Sequence, residues 1–222
     1  MKMQKQIPDQ EKKVFSKFRS PYDIQLFLNS IAYNSKEKCK SPFEVMKERS
    51  ANCLEGAIFA AAALKFLGYT PLVLDMSAEN DDDHVIAVFR RNGCYGAVAK
   101  SNTTVLRFRE PVYKSIRELV MSYFEVYFNI LGEKTLRTYS MPISLDMFST
   151  YNWISTKKDL NIIGDYLYTI KHYDILTKKQ KENLSPVEPL LIRACFLDAV
   201  KKGIFKPKEK GKKGGRSGNR KI

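Results

Sequence analysis

Cys53 and His84 are the two side chains of this 222-residue chain whose types and setting fit one reaction. A thiol supplies a nucleophile, and an imidazole can take its proton and later return it to a leaving group. That division of labour is acyl transfer through a thioester. Cys53 opens an alanine-rich helical stretch, Leu54-Glu55-Gly56-Ala57-Ile58-Phe59-Ala60-Ala61-Ala62-Ala63-Leu64. The unpaired N–H groups and positive dipole end at such a helix start favour thiolate. His84 follows 31 positions later at the head of a β-branched run, Val85-Ile86-Ala87-Val88-Phe89. A strand packed antiparallel on the helix would return the imidazole to the thiol's end.

The elements needed to hold the pair are readable around it. The cysteine helix is apolar on nearly every face, so it belongs in the middle of a domain. Gly68 marks its stop, and Pro71 prevents continuation. Upstream, residues 9–34 read as two helices broken at Ser20-Pro21, and Ser41-Pro42-Phe43-Glu44 has capping-box spacing. Downstream, β-type runs cover 71–76, 84–90, 95–99 and 103–108, with Asn92-Gly93 as a hairpin turn. Helices followed by an antiparallel meander make an α+β protein, with the cysteine-bearing helix packed on the sheet. Further helices are expected over 112–130, 160–170 and 189–202, and irregular chain over 141–155 around Trp153.

Residues 50–102, about a quarter of the chain, resemble the core of transglutaminase-like proteins within the wider papain-like cysteine fold. The resemblance rests on Asn52-Cys53-Leu54-Glu55-Gly56-Ala57 leading to Leu67-Gly68-Tyr69-Thr70-Pro71, on Asp83-His84-Val85-Ile86, and on Asn92-Gly93-Cys94-Tyr95-Gly96. It implies Cys53 as nucleophile, His84 as base, a peptide or protein amide as substrate, and no metal or organic cofactor. Where the family strand ends in aspartate this chain has Ala99-Lys100-Ser101-Asn102. Ser101 or Asn102 is then left to orient His84 through a neutral hydrogen bond. Ile86 stands where the family often has tryptophan. The alternative is a catalytically silent fold of the same kind, serving as a binding module.

Other candidates compete with blander readings. Asp81-Asp82-Asp83, just before His84, could tune the histidine, attract a cationic group, orient the ring from the other side or bind a cation. It also reads as a solvated acidic turn. Cys94 earns notice if the hairpin carries it towards His84. His172 reads as a surface residue, and Arg107, Arg109, Lys114 and Arg117 as a basic patch or a solvated face.

Composition sets the outer bounds. The chain is long enough for one domain, expected over 1–205, and has no apolar run near the ~20 residues that span a bilayer. Four scattered cysteines without a CxxC pair or zinc spacing argue against disulfide or metal scaffolds and for a reducing, cytoplasmic setting. No secretory signal is read at the start. Of the net charge of +14, half lies in 206–222, where eight Lys/Arg face one Glu. That stretch is expected to be a disordered basic arm, either solubilising or touching nucleic acid or an acidic protein.

Overall fold

A computed structural model describes residues 13–208. Most of the basic arm, residues 209–222, lies outside them, and with it the reading of that arm as disordered. Helices α1 (Pro21–Asn29) and α3 (Cys53–Phe66) begin on reciprocal capping boxes, Ser20 with Asp23 and Asn52 with Glu55, while at α2 (Pro42–Glu48) the Glu44 carboxylate accepts from Ser41 N–H (3.4 Å). Each box satisfies backbone donors that the first helical turn leaves unpaired. A short parallel pair, β1 (Ala32–Tyr33) with β2 (Ser50–Ala51), leads into α3.

The main sheet is antiparallel throughout. It contains β3 (Leu72–Ala78), β4 (His84–Arg91), β5 (Cys94–Val98), β6 (Arg109–Tyr113), β7 (Leu136–Ser140) and β9 (His172–Asp174), in the order β6-β5-β4-β3-β7-β9. The two-residue β8 (Ile143–Ser144) also pairs with β3. Side chains alternate between two cores, as the pleat requires. Val73, Val85, Ala87 and Phe89 face α1 and α3, together with Phe15, Phe59 and Trp153. Leu74, Met76, Ile86 and Val88 face the opposite core, built on α4 (Ile116–Phe124) with Tyr123 and Tyr127. The molecule is therefore α+β, with the cysteine helix on one face of the sheet and α4 on the other, an arrangement consistent with a papain-like fold.

Several expectations shift. Residues 103–108 are not a strand; β6 starts at Arg109. It is an edge strand, a position that tolerates Pro111. The helix expected over 112–130 is shorter, because β6 claims residues to Tyr113 and the Ser115 side chain caps the helix by accepting from Glu118 N–H (3.1 Å). Residues 145–151 form a 3₁₀ helix, and Trp153 beside it is buried. Helix α5 (Asn161–Thr169) places Ile163 and Leu167 in the core around α3. After α6 (Lys178–Glu182), helix α7 (Pro189–Cys195) stops short of the expected 202. The chain then makes one 3₁₀ turn, Lys201–Gly203, and continues extended at Ile204.

Candidate functional site

The start of α3 is held rigidly by Glu55. Its carboxylate is fully buried and accepts from Asn52 N–H (2.8 Å), Lys40 N–H (2.9 Å) and both contacts of Asn34 Nδ2 (3.0 and 2.9 Å). Cys53, at the first helical position, is half-buried, and its Sγ lies 3.8 Å from the Asp83 carbonyl oxygen as hydrogen-bond donor. Burial pushes the thiol pKa up to about 11, against the pull of N–H groups of Val85 and Leu54. Burial thus opposes the thiolate that a helix start favours.

His84 opens β4 opposite Met76 of β3 and is buried. Its Nε2 lies 2.9 Å from the carbonyl oxygen of Leu106, and its ring stands edge-on to Tyr127 at 6.4 Å. Burial pulls its pKa down to about 4. A neutral ring whose Nε2 faces an acceptor carries its proton there, so Nδ1 keeps its lone pair.

Thiol and imidazole line one crevice, together with Tyr33, Asp81–Asp83, Ser101–Thr103, Leu106 and Tyr127. They are not hydrogen-bonded to each other; the thiol's bond goes to Asp83, the residue adjoining His84. Neither Ser101 nor Asn102 orients the ring. The Ser101 hydroxyl pairs with Thr103 Oγ1 (3.0 Å), and the Asn102 amide is spent on the backbone of Val200 and Gly203. A backbone carbonyl takes the part that either side chain was expected to play.

The acidic turn is part of the crevice wall rather than a freely solvated loop. Asp83 Oδ1 accepts from Ala78 N–H (2.7 Å), and Asp81 accepts from the Thr135 hydroxyl (2.8 Å) and from Asp82 N–H (2.9 Å). Tyr127 donates its hydroxyl to the Asp82 carbonyl (2.7 Å). Burial raises Asp81 to about 6. None of these carboxylates bonds the His84 ring. Among the described residues no cluster of His, Cys, Asp and Glu is arranged to hold a metal ion.

Other sequence candidates do not line the crevice. Cys94 pairs with Arg91, seven residues along β4 from His84 and so about 23 Å distant at the usual rise. His172 is not a surface group; its Nε2 lies 3.0 Å from the buried Asp75 carboxylate. Arg109 is committed to the Tyr123 ring, at 3.8 Å, and to Ser122, and Arg117 to the Ile175 carbonyl, so these arginines serve packing.

Residues not singled out from the sequence complete the site: Tyr33, Asn80, Leu106, Tyr127 and the 203–205 segment. The carbonyl that holds His84 is carried by every residue type, so nothing in residue chemistry could flag Leu106. Asn102 acts on backbone, and Asn80 grips the Lys208 backbone while also donating to the Glu133 carboxylate (3.0 Å), 53 residues away in sequence.

No family model matches this chain, and no curated protein does. Among solved structures it is similar to Legionella pneumophila LapG (EGTA-treated), over 72% of this chain and 94% of that one, with 12% sequence identity and a TM-score of 0.36.

Proposed function

We propose that the crevice carries out Cys53-dependent acyl transfer on a peptide or protein amide, with His84 as the base. One observation carries this reading: the thiol at a helix start and the buried imidazole share a crevice, and Leu106 fixes the ring proton on Nε2, leaving Nδ1 available. In the reaction the thiol proton leaves the Asp83 carbonyl for Nδ1. Sulfur then attacks the amide carbon, and the N–H groups of Leu54 and Val85 stabilise negative charge on sulfur as it develops. The proton on Nδ1 passes to the departing amine, and a thioester on Cys53 remains. Water, deprotonated by the same nitrogen, hydrolyses it to a carboxylic acid and free thiol. A carbonyl dipole supports the imidazolium less than a carboxylate would, which implies modest turnover.

In this reading residues 1–205 work as one domain with a basic arm appended. The four free thiols suit a reducing compartment such as the cytoplasm. Among the described residues no helix is long and apolar enough to cross a membrane. The second reading, a silent peptide-binding module, draws on the pKa directions, since burial favours the neutral form of both thiol and imidazole.

The probe is p-nitrophenyl acetate, small enough to enter without a peptide groove. The full chain should form acetyl-Cys53, seen by peptide mass spectrometry. Cys53→Ser should abolish it, and His84→Gln should slow turnover by about 10²–10⁴-fold. Equal acylation of the parent and His84→Gln chains, or an acetyl group found only on other cysteines, supports the silent module.

A further inference from the structure

The loop that orients His84 also grips another part of the chain. Asn102 Nδ2 donates to the carbonyls of Val200 (3.1 Å) and Gly203 (2.8 Å), and its Oδ1 accepts from Val200 N–H (2.9 Å). Farther along, Asn80 makes the same two-way clasp on Lys208, donating to its carbonyl (3.1 Å) and accepting from its N–H (2.8 Å). Between the clasps, Ile204 is extended (φ −94°, ψ 124°), and Ile204 and Phe205 lie half-buried along the crevice that holds Cys53. Gly203 approaches so closely that an added Cβ would stand 2.7 Å from the Tyr33 ring.

Two amides reading backbone polar groups of a segment that leaves a 3₁₀ turn and continues extended at Ile204 make a peptide-recognition device. Main-chain bonds of this kind supply affinity without regard to sequence, and the walls between them choose side chains. Asp82 and Asp83 line the crevice, and two lysines, Lys206 and Lys208, follow the apolar pair Ile204-Phe205.

We propose that Asn80 and Asn102 are the backbone clamps of a groove for peptides with two adjacent apolar residues followed by basic ones, and that residues 200–208 are its resident, displaceable occupant. The groove's service to catalysis rests on the reading of Cys53 given above; the clamps and the narrowed access to the thiol do not. The seated segment walls the crevice beside the half-buried thiol and narrows access to it. With it released, water reaches both reacting groups and an external peptide can take its place. Asn102 and Leu106 stand four residues apart on one loop, so occupancy is sensed beside the carbonyl that holds His84.

The test reads Cys53 alkylation by iodoacetamide, with Cys94 as internal reference, in the full chain. It needs no turnover, so a catalytically silent protein can still pass, and failure here is separate from failure of acetylation by the ester. Ile204→Asp/Phe205→Asp should raise Cys53 labelling about tenfold or more, the expected loss of roughly one to two net contacts. A synthetic peptide with the sequence of residues 200–208 should restore protection in that variant, whereas a scrambled peptide should not. Protection by the same peptide should be lost when Asn80→Ala/Asn102→Ala is added. Gly203→Ala, whose added Cβ would press on the Tyr33 ring and the Asn102 amide, should raise labelling in the same direction. Unchanged Cys53 labelling in both segment variants, or equal protection by the scrambled peptide, overturns the proposal.

Discussion

At the scale of single residues, His84 shows how burial sets chemistry. Sequence made it a base by analogy, but its strength depends on a carbonyl and on the water excluded around it. Its pKa falls from the ordinary 6.5 to about 4, so the folded state prefers the neutral ring. The unfolded chain binds the extra proton first as pH drops. Stability from this group is therefore complete above pH 6.5 and is lost as pH falls towards 4, by roughly 3 kcal/mol. Asp81 acts with opposite sign: its pKa is raised from 3.8 to about 6, so its contribution is lost as pH rises through that range. The difference between parent and His84→Gln isolates the histidine. Urea unfolding at pH 7 and pH 4 should find the variant gaining about 3 kcal/mol relative to the parent at the lower pH. A difference that does not change with pH means that His84 is not held neutral by its surroundings.

Elements differ in how openly their sequences announce them. Helix α3 was legible because its alanine-rich apolar run and its stop at Gly68 are local signals. The β3–β5 meander was legible through β-branched runs and the Asn92-Gly93 turn. Strands β7 and β9 were not, being short and mixed in polarity, with pairing supplied by β3. The crevice divides the same way: Cys53 and His84 stood out by type, while the Leu106 carbonyl and the 200–208 segment act through backbone common to all residues. One detail of α3 carries a stability prediction. Gly56 lies where an added Cβ would collide with the Lys100 side chain, close to its backbone. Lys100 runs past it to donate to the carbonyls of Leu28 (2.9 Å) and Ile31 (2.6 Å) at the end of α1. Alanine is favoured over glycine in a helix by about 1 kcal/mol, but overpacking costs about 1–3 kcal/mol and the stem cannot swing aside. Gly56→Ala should lower the unfolding midpoint in denaturant; a higher midpoint means the α3–Lys100 contact is loose.

Across the whole molecule, the sheet carries the site on one side of its centre and a second polar knot on the other. Asp75 of β3 is buried and accepts from the Ser77 hydroxyl (3.1 Å), and its Oδ2 lies 3.0 Å from His172 Nε2. His172 belongs to β9, two strands away, and its Nδ1 faces the Ile170 carbonyl at 3.0 Å. With acceptors facing both ring nitrogens, the half-buried imidazole and the buried Asp75 carboxylate stitch the edge of the sheet to its middle. Such a pair adds little over an apolar replacement, yet breaking one side strands the other charge in a dry place. Burial already raises the Asp75 pKa, so losing its partner will leave a carboxylate poorly supported. His172→Ala should therefore cost about 3 kcal/mol, Asp75→Asn a similar amount, and Asp75→Asn/His172→Gln much less than their sum. Urea unfolding of the three variants at pH 7 measures that coupling. Simple additivity would show that the two residues meet without depending on each other, and that β9 is held by its ladder to β7 alone.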